Sequence, residues 1–397
     1  MLYYKTNSKC NLSIYQKMIE KVPSQDLDSL RQLIADRITA AGGHVSFSDY
    51  MQWALYEPLL GYYDRGNTLF GEAGDFVTAP ELGTLFARAL ARGIAPLLLQ
   101  TEARIIELGA GSGVLAKSLT SELDALGVPL NSYSILEPSG TLQERQKAIL
   151  HQDARVQWLQ VLPDNFSGVV IANEVLDAMP VKLACLKDGK WHERCVISDG
   201  GHFAFRDFPA TAEFLNQVRE SIPEDLVYAG LPEGYVTEIH PFALGFIRTL
   251  SSMMRRGKTV AIFVDYGFPA YEYYLPERLQ GTLMCHYRHQ VHDDPFFKLG
   301  FQDITSHVNF TSLARVAEKQ GLDILFYASQ VSFLMASGIL SLLPSSGGMG
   351  RDSIALVQEA EKLLSPHEMG ELFKVIILGH DVEPSQELLQ SDRSGRL

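Results

Sequence analysis

The middle of the chain alternates short apolar runs with helical patterns, and this alternation constrains the fold more than any other feature. Residues 104–108 form an apolar run that ends in a glycine-rich turn, and a helical pattern follows through Leu123. Strand and helix patterns then repeat up to the fully apolar run at residues 169–172. Apolar strands joined by helices are typical of a parallel sheet that is covered on both faces. We therefore predict an α/β fold built on a doubly wound sheet.

Ahead of this pattern the chain has helical periodicity. Apolar residues recur every three or four positions in residues 24–38, and a further helical pattern covers residues 83–98. We predict a helical N-terminal region at residues 1–100 that packs on a sheet domain at residues 101–397.

One stretch of the sheet domain departs from the parallel pattern. After Pro180, two strand patterns are joined by an Asp188-Gly189 turn, which is typical of a β-hairpin. We predict an insertion at about residues 181–240, after which the sheet resumes and ends in a strand at residues 372–378.

The charge balance excludes one class of partner. The chain has 34 Lys and Arg against 47 Asp and Glu, a formal net charge of −13. A phosphate backbone is repelled by such a field, so we predict no nucleic-acid partner. The apolar fraction of 46% and the charged fraction of 20% are typical of a globular protein. The uncharged stretch between Asp323 and Arg351 contains polar residues and Pro344, which favours a buried strand and a helix over a membrane span.

The four cysteines and the N-terminus bear on the cellular compartment. Cys10, Cys185, Cys195 and Cys285 are too scattered for a disulfide framework or a CxxC zinc site, so we expect free thiols in a reducing compartment. The first residues have lysines but no apolar core of a secretory signal. We expect a cytoplasmic protein.

The glycine-rich turn has the sequence Glu107-Leu108-Gly109-Ala110-Gly111-Ser112-Gly113. Glycines at a strand-to-helix turn let the backbone bend sharply and approach a ligand closely. A dinucleotide fingerprint would need glycine at position 114, which is Val114, and this argues against a nicotinamide- or flavin-dependent oxidoreductase. A tight turn without any ligand is the structural alternative.

A second acid supports a nucleotide-like cofactor. Glu137 ends the next predicted strand, where Rossmann-type folds place the carboxylate that accepts hydrogen bonds from ribose hydroxyls. The alternative is a capping acid before Pro138. We predict that the cofactor is held by Glu107, Gly109, Gly111, Gly113 and Glu137.

The run at residues 169–172 ends in a third group of polar residues. Asn173, Glu174 and Asp177 follow it, at the edge of the sheet where the glycine turn also lies. They are candidates to contact the cofactor's reactive group or an acceptor. A helix N-cap with acids in its first turn is the structural alternative. The pattern favours function for Glu174 and leaves both interpretations open for Asp177.

Several motifs together resemble the MidA family of class I S-adenosylmethionine-dependent methyltransferases, whose mitochondrial members assist the assembly of respiratory complex I. The resemblance runs over most of the chain, and its most specific motifs are G-D-F-V-T-A-P-E and R-H-Q-V-H-D-D-P. The motifs lie at residues 61–63, 74–81, 107–113, 173–180, 265–267, 287–295 and 307–311.

This resemblance implies a Rossmann-like fold and methyl transfer from S-adenosylmethionine, with a protein arginine as the acceptor and no metal. A guanidinium is a poor nucleophile because it is protonated at neutral pH, so carboxylates must orient it and help remove its proton. Glu174 and Asp177 are the candidate catalytic residues, with Asp75 and Asp265 behind them. Among the remaining motif residues, Thr78, Pro80 and Asn173 are expected at the cofactor.

The resemblance leaves a non-catalytic alternative, an assembly chaperone that keeps the fold and binds a respiratory-chain subunit. The intact acids of the glycine motif and the Asn173-Glu174 pair disfavour it. The expected partner is a protein with an accessible arginine, which for the mitochondrial relatives is a complex I subunit. The location would be mitochondrial if the source is eukaryotic, and the oligomeric state stays open.

His286, His289 and His292 stand at intervals of three, which could suggest a metal site. Residues 281–292 have the pattern of one extended strand, in which His289 points away from the other two, so metal ligation is disfavoured. Two interpretations stay open: a polar rim where the acceptor protein docks, and a hydrogen-bonded structural turn.

Overall fold

A computed structural model describes residues 24–65, 78–228, 230–344 and 350–397 of the chain. The helices are α1 (Ser24–Ala40), α2 (Phe47–Tyr56), α3 (Ala79–Leu82), α4 (Leu85–Leu98), α5 (Val114–Ala125), α6 (Gly140–Leu150), α7 (Ala212–Ser221), α8 (Glu224–Tyr228), α9 (Pro241–Met254), α10 (Ala270–Tyr273), α11 (Phe310–Lys319), α12 (Gln330–Ala336), α13 (Arg351–Leu364) and α14 (Gln386–Ser391). No helix in this part of the chain is long and apolar enough to cross a membrane.

The strands fall into three sheets. They are β1 (His44–Ser46), β2 (Arg104–Leu108), β3 (Ser132–Leu136), β4 (Val156–Leu159), β5 (Gly168–Asn173), β6 (Lys182–Lys187), β7 (Lys190–Asp199), β8 (His202–Pro209), β9 (Val236–Ile239), β10 (Thr259–Phe268), β11 (Met284–Tyr287), β12 (Gln290–His292), β13 (Asp303–Thr305), β14 (Val308–Asn309), β15 (Asp323–Ser329) and β16 (Phe373–His380).

The largest sheet has the order β15-β16-β10-β5-β2-β3-β4, and β14 adds to the end of β10. Pairing is parallel from β10 through β5, β2 and β3 to β4. Chain order reverses on either side of β2, so the edge formed by the carboxyl ends of β2, β3 and β5 is the expected place for a ligand. The predicted α/β, doubly wound fold is confirmed.

The sheet departs from the parallel pattern at its last strand in chain order. β16 lies between β10 and β15 and runs antiparallel to both. Its central residues are as fully buried as those of the parallel strands. A continuous apolar run shows that both faces are covered but carries no information about strand direction.

Both faces of this sheet are covered by helices, and consecutive residues of one strand pack into different cores. Ile105 packs with α4 and α5, whereas Ile106 packs with α9 and α11. Helix α4, which falls in the predicted N-terminal region, is therefore part of the main core. The boundaries at residues 100 and 101, and those of the insertion at 181–240, stay a prediction.

The second sheet is antiparallel, with the order β1-β7-β6-β9 and β8 on the outer side of β7. The predicted Asp188-Gly189 turn joins β6 to β7, and both of its residues have positive φ, 49° and 67°. β1 comes from the N-terminal region and pairs with β7. The sequence does not reveal β1 because three residues are too few for a recognisable alternation.

The third sheet has the order β12-β11-β13 and corrects the single strand predicted for residues 281–292. β11 and β12 form an antiparallel hairpin, and Arg288 and His289 lie in its turn with positive φ, 49° and 60°. The predicted alternation of the three histidines along one strand is therefore wrong.

Candidate active site

A cavity of about 760 Å³ lies at the carboxyl ends of β2, β3 and β5. Its lining includes the glycine turn after β2, residues 136–139 after β3 and residues 173–175 after β5. We call it the central cavity. The sheet topology brings these three segments together, because parallel neighbouring strands end at the same edge.

The glycine turn has a backbone that L-amino acids with side chains rarely adopt. Gly109, Gly111 and Gly113 have φ of 59°, 53° and 86°. A Cβ at Gly109 would lie 3.2 Å from the Cγ2 of Val175. Gly109 and Gly111 line the central cavity, whereas Gly113 is not among its lining residues and instead begins α5.

Glu137 is fixed just after β3 by two donors to its carboxylate. Its Oε1 accepts the backbone N–H of Ser139 at 3.0 Å, and its Oε2 accepts Nε2 of Gln146 at 3.1 Å. The same Nε2 donates to the carbonyl of Gly111 at 3.0 Å, so Gln146 connects the acid to the glycine turn. Burial raises the pKa of Glu137 to about 7, although the two donors to its carboxylate lower it.

Sequence reasoning missed Gln146, which is fully buried. It stands midway between Leu142 and Leu150 on α6, four residues from each. A polar residue inside an apolar stripe of a helix is the signal that could have identified it.

Glu107 is the penultimate residue of β2, directly before the glycine turn, and also lines the central cavity. Its Oε2 accepts the Tyr133 hydroxyl at 2.8 Å. Burial raises the pKa of Glu107 to about 7; the Tyr133 hydrogen bond lowers it and the charge of Glu137 raises it further.

The G-D-F-V-T-A-P-E motif reaches the cavity through its last residues. Thr78 and Pro80 line it, and the Ser112 hydroxyl donates to Glu81, which ties α3 to the glycine turn. The predicted catalytic residue Asp75 lies outside the described residues.

The residues after β5 turn sharply. Glu174 has a φ of 52°, a left-handed conformation that is uncommon for residues other than glycine and often marks functional sites. Asn173 donates through Nδ2 to Oε1 of Glu174 at 3.1 Å, and both side chains line the central cavity. Oδ1 of Asn173 is buried without a hydrogen-bond donor. Burial, followed by the charge of Asp177, raises the pKa of Glu174 well above its ordinary value.

Asp177 and Asp265 lie behind this turn. Oδ2 of Asp265 accepts the backbone N–H groups of Leu176 and Asp177, at 2.9 and 3.3 Å, so Asp265 fixes the turn. Oδ1 of Asp177 is buried without a donor. Burial raises the pKa of Asp177 well above its ordinary value, and the charge of Asp265 raises it further. Burial, with a contribution from the charge of Glu174, raises the pKa of Asp265 to about 8.

A further side of the cavity comes from residues that sequence reasoning did not assign. Tyr56 and Tyr63 line it with stacked rings, and the Tyr63 hydroxyl donates to Oδ1 of Asp303 at 3.0 Å. Tyr63 belongs to the Gly61-Tyr62-Tyr63 motif, and this motif could have identified it as a site residue from the sequence. Asp303 stands in no motif and could not have been found this way.

Known proteins resemble this chain in sequence and in structure. The model of a protein family described as "Putative S-adenosyl-L-methionine-dependent methyltransferase" matches residues 89–328, more than half of the chain. The chain belongs to this family. The predicted methyltransferase activity and its S-adenosylmethionine cofactor are thereby confirmed at the level of the family.

Individual proteins that are similar to this methyltransferase support the same family assignment. A Burkholderia thailandensis protein crystallised with S-adenosyl-homocysteine is 42% identical, with 95% of this chain and 100% of that chain covered and a TM-score of 0.87. The curated protein arginine methyltransferase NDUFAF7, mitochondrial, of Danio rerio is 26% identical over 87% of this chain and 86% of its own. The protein of the same name from Homo sapiens is 26% identical over 85% and 80%.

The central cavity of this methyltransferase fits the cofactor. Glu107 and Glu137 offer buried carboxylates to hydroxyl and amino groups, the glycine turn exposes backbone without side chains, and Asn173 keeps an unused acceptor. Their individual roles at the cofactor stay a prediction. Within residues 24–65, 78–228, 230–344 and 350–397, no group of three or more His, Cys, Asp or Glu is arranged to hold a metal ion.

Proposed function

We propose that this methyltransferase N-methylates arginine in a protein substrate. The observation that carries the proposal is a group of three carboxylates at the end of β5, those of Glu174, Asp177 and Asp265. No Lys or Arg of the described chain forms an ion pair with any of them. Buried acids without a cation favour a positively charged ligand.

The relatives support the same acceptor. Those from zebrafish and human are named protein arginine methyltransferases, and both are called mitochondrial. At 26% identity this favours arginine without fixing which protein carries it. A mitochondrial location would apply if the source is eukaryotic, and a cytoplasmic one otherwise.

In the proposed reaction S-adenosylmethionine supplies a methyl group activated by its positively charged sulfur. Glu137 accepts hydrogen bonds from the ribose, and the glycine turn lets the backbone lie against the cofactor. Glu174 would orient the guanidinium and take up its proton as the N–C bond forms and the S–C bond to the methyl group breaks, which leaves S-adenosyl-homocysteine. Asp177 is the second candidate for this role. Asp265 holds the turn that carries both acids.

The first prediction tests Glu174. Glu174→Gln keeps the shape and the Asn173 contact but removes the charge, so we expect methyl incorporation to fall by about a hundredfold or more. The affinity for S-adenosyl-homocysteine should stay within about twofold of wild type. Incorporation is measured with labelled S-adenosylmethionine and an extract from the source organism, and methylarginine is identified after hydrolysis of the labelled protein.

Glu144→Gln is the matched control, because Glu144 is an exposed acid that forms an ion pair with Lys147 on the surface of α6. It should leave incorporation unchanged. Undiminished incorporation in Glu174→Gln would remove Glu174 from the mechanism, and label in residues other than arginine would refute the acceptor.

A further inference from the structure

Two tyrosines form an aromatic wall on the central cavity. The rings of Tyr56 and Tyr63 both line it and stack on each other, with centroids 5.4 Å apart and planes at 19°. The edge of Tyr62 packs against Tyr63, with centroids 5.0 Å apart. We call Tyr56 and Tyr63 the tyrosine wall.

Hydrogen bonds fix the wall to the acid-bearing turn. The Tyr56 hydroxyl donates to the carbonyl of Ala178 at 2.9 Å, and the Tyr63 hydroxyl donates to Asp303. Asp303 is 3% exposed and begins β13. Three residues on, the Ser306 N–H donates to the Asp177 carbonyl at 2.9 Å. The wall, Asp303 and Asp177 therefore belong to one connected group.

The hairpin of β11 and β12 supports Asp303. β13 pairs with β11, where Asp303 lies opposite His286, and Oδ1 of Asp303 also accepts the Ile304 N–H at 2.9 Å. The histidine motif thus has a structural role behind the cavity. The charge of Asp303 contributes to the raised pKa of Tyr56, Tyr63 and Glu174.

One atom in this group shows unused binding capacity. Oδ1 of Asp177 has no donor, although Asp177 is only 5% exposed. Buried acceptors are nearly always paired, so this one shows an excess of acceptors behind the turn. Asp177 does not line the central cavity, whereas its neighbour Glu174 does. A cation with several N–H groups in the cavity can donate to Glu174, and aromatic faces bind such cations as well.

We propose that the tyrosine wall is the binding face for the acceptor's cationic side chain, and that Asp303 is a positioning residue that holds Tyr63 and adds negative charge behind the wall. This rests on the proposed arginine acceptor and deepens it. A guanidinium is planar, so it stacks on a tyrosine ring while its edge donates to carboxylates, which a lysine ammonium cannot do. The wall therefore selects guanidinium over ammonium.

The test measures binding to the protein saturated with S-adenosyl-homocysteine, so that it does not depend on turnover. The probes are the peptide Gly-Gly-Arg-Gly-Gly and two counterparts in which lysine or uncharged citrulline replaces the arginine. Calorimetry measures the affinity of each peptide. Wild type should bind the arginine peptide more tightly than either counterpart. Tyr63→Leu, which removes the ring, should weaken binding of the arginine peptide by about tenfold, and Asp303→Asn, which keeps the ring, by about threefold.

Two variants control the test. Tyr63→Phe keeps the ring but loses the hydrogen bond to Asp303, so it should resemble Asp303→Asn and bind better than Tyr63→Leu. Tyr271→Phe removes the hydroxyl of an exposed tyrosine that bonds Asp225, and it should bind like wild type. The conservative Tyr63→Phe keeps the test decisive if Asp303→Asn does not fold.

Each other outcome has a distinct meaning. If Tyr63→Leu and Tyr63→Phe bind the arginine peptide like wild type, the inference is wrong while the proposed function stands. If the variants weaken S-adenosylmethionine binding relative to uncharged S-adenosyl-homocysteine, the wall serves the sulfonium of the cofactor and the inference is wrong. If wild type does not distinguish arginine from citrulline peptides, the inference fails; methylarginine formation in the extract then decides the proposed function separately.

Discussion

At the scale of single residues, burial controls the protonation of the acids around the central cavity. It raises the pKa of Glu107 and Glu137 to about 7. Both acids are therefore partly protonated at neutral pH. A ligand that donates hydrogen bonds to them favours the ionised form, so ligand binding and proton release are linked.

The second prediction concerns Glu137. Because a ribose donates to the ionised carboxylate, affinity for S-adenosyl-homocysteine should rise by up to about tenfold between pH 6 and pH 8, as a group with a pKa near 7 ionises. Glu137→Gln should bind more weakly and with a shallower pH dependence, the remainder coming from Glu107. Calorimetry at several pH values measures both; an unchanged slope in Glu137→Gln would show that this carboxylate does not meet the ligand.

At the scale of elements, the junction of β2 and α5 forms the glycine-turn side of the central cavity. The conformation of the turn requires residues without a Cβ, and the same conformation keeps side chains away from the ligand. Gln146 on α6 then fixes this turn against Glu137. The glycine turn therefore depends on β3 and α6, which both follow it in the chain.

The third prediction separates backbone strain from ligand contact. Gly111→Val should reduce affinity for S-adenosyl-homocysteine by at least about tenfold, because it combines strain at a φ of 53° with a side chain at the cavity. Gly127→Val is the matched control: Gly127 has a φ of 67° at the end of α5, and a Cβ there meets nothing within 4 Å. Both variants should have a lower melting temperature than wild type, but only Gly111→Val should lose affinity for S-adenosyl-homocysteine. Equal ligand affinity in the two would show that the turn does not contact the cofactor.

At the scale of the whole molecule, the raised pKa values make stability depend on pH. Glu107, Glu137 and Asp265 have unfolded-state pKa values near 4 and folded-state values of about 7, 7 and 8. The stability from their protonated folded forms is fully present below the unfolded pKa and is lost as the pH rises through the folded pKa. Desolvation lowers the pKa of the buried His240 and of the half-buried His307 to about 4, so these histidines change the pH dependence of stability only below about pH 7.

The fourth prediction follows from the directions of these pKa shifts. The melting temperature of the ligand-free protein should fall by several degrees as the pH rises from 7 to 9, because the folded state then releases protons that the unfolded state has already lost. Differential scanning fluorimetry in buffers of equal ionic strength measures this. Glu137→Gln should have a smaller fall, and a melting temperature that rises over this range would contradict the assigned pKa directions.

Much of the fold and part of the candidate site could be predicted from the sequence. β2 and β4 span the residues that their strand patterns predict, 104–108 and 156–159, because such a pattern is local to a few neighbouring residues. The glycine turn and Glu137 were predictable because their spacing relative to strands is local. His289 was misplaced because nothing in residues 281–292 indicates a hairpin turn, whose left-handed residues here are Arg288 and His289.

The sequence by itself determined which strands form the sheet and which of its edges carries the glycine turn and Glu137, because periodicity and turn chemistry act over a few neighbouring positions. Tertiary structure alone decided the antiparallel placement of β16 and the tyrosine wall. Tyr63 and Asp303 are 240 residues apart in the chain yet share a hydrogen bond. No local pattern encodes such a contact, since it exists only after a separate sheet has packed against the acid-bearing turn.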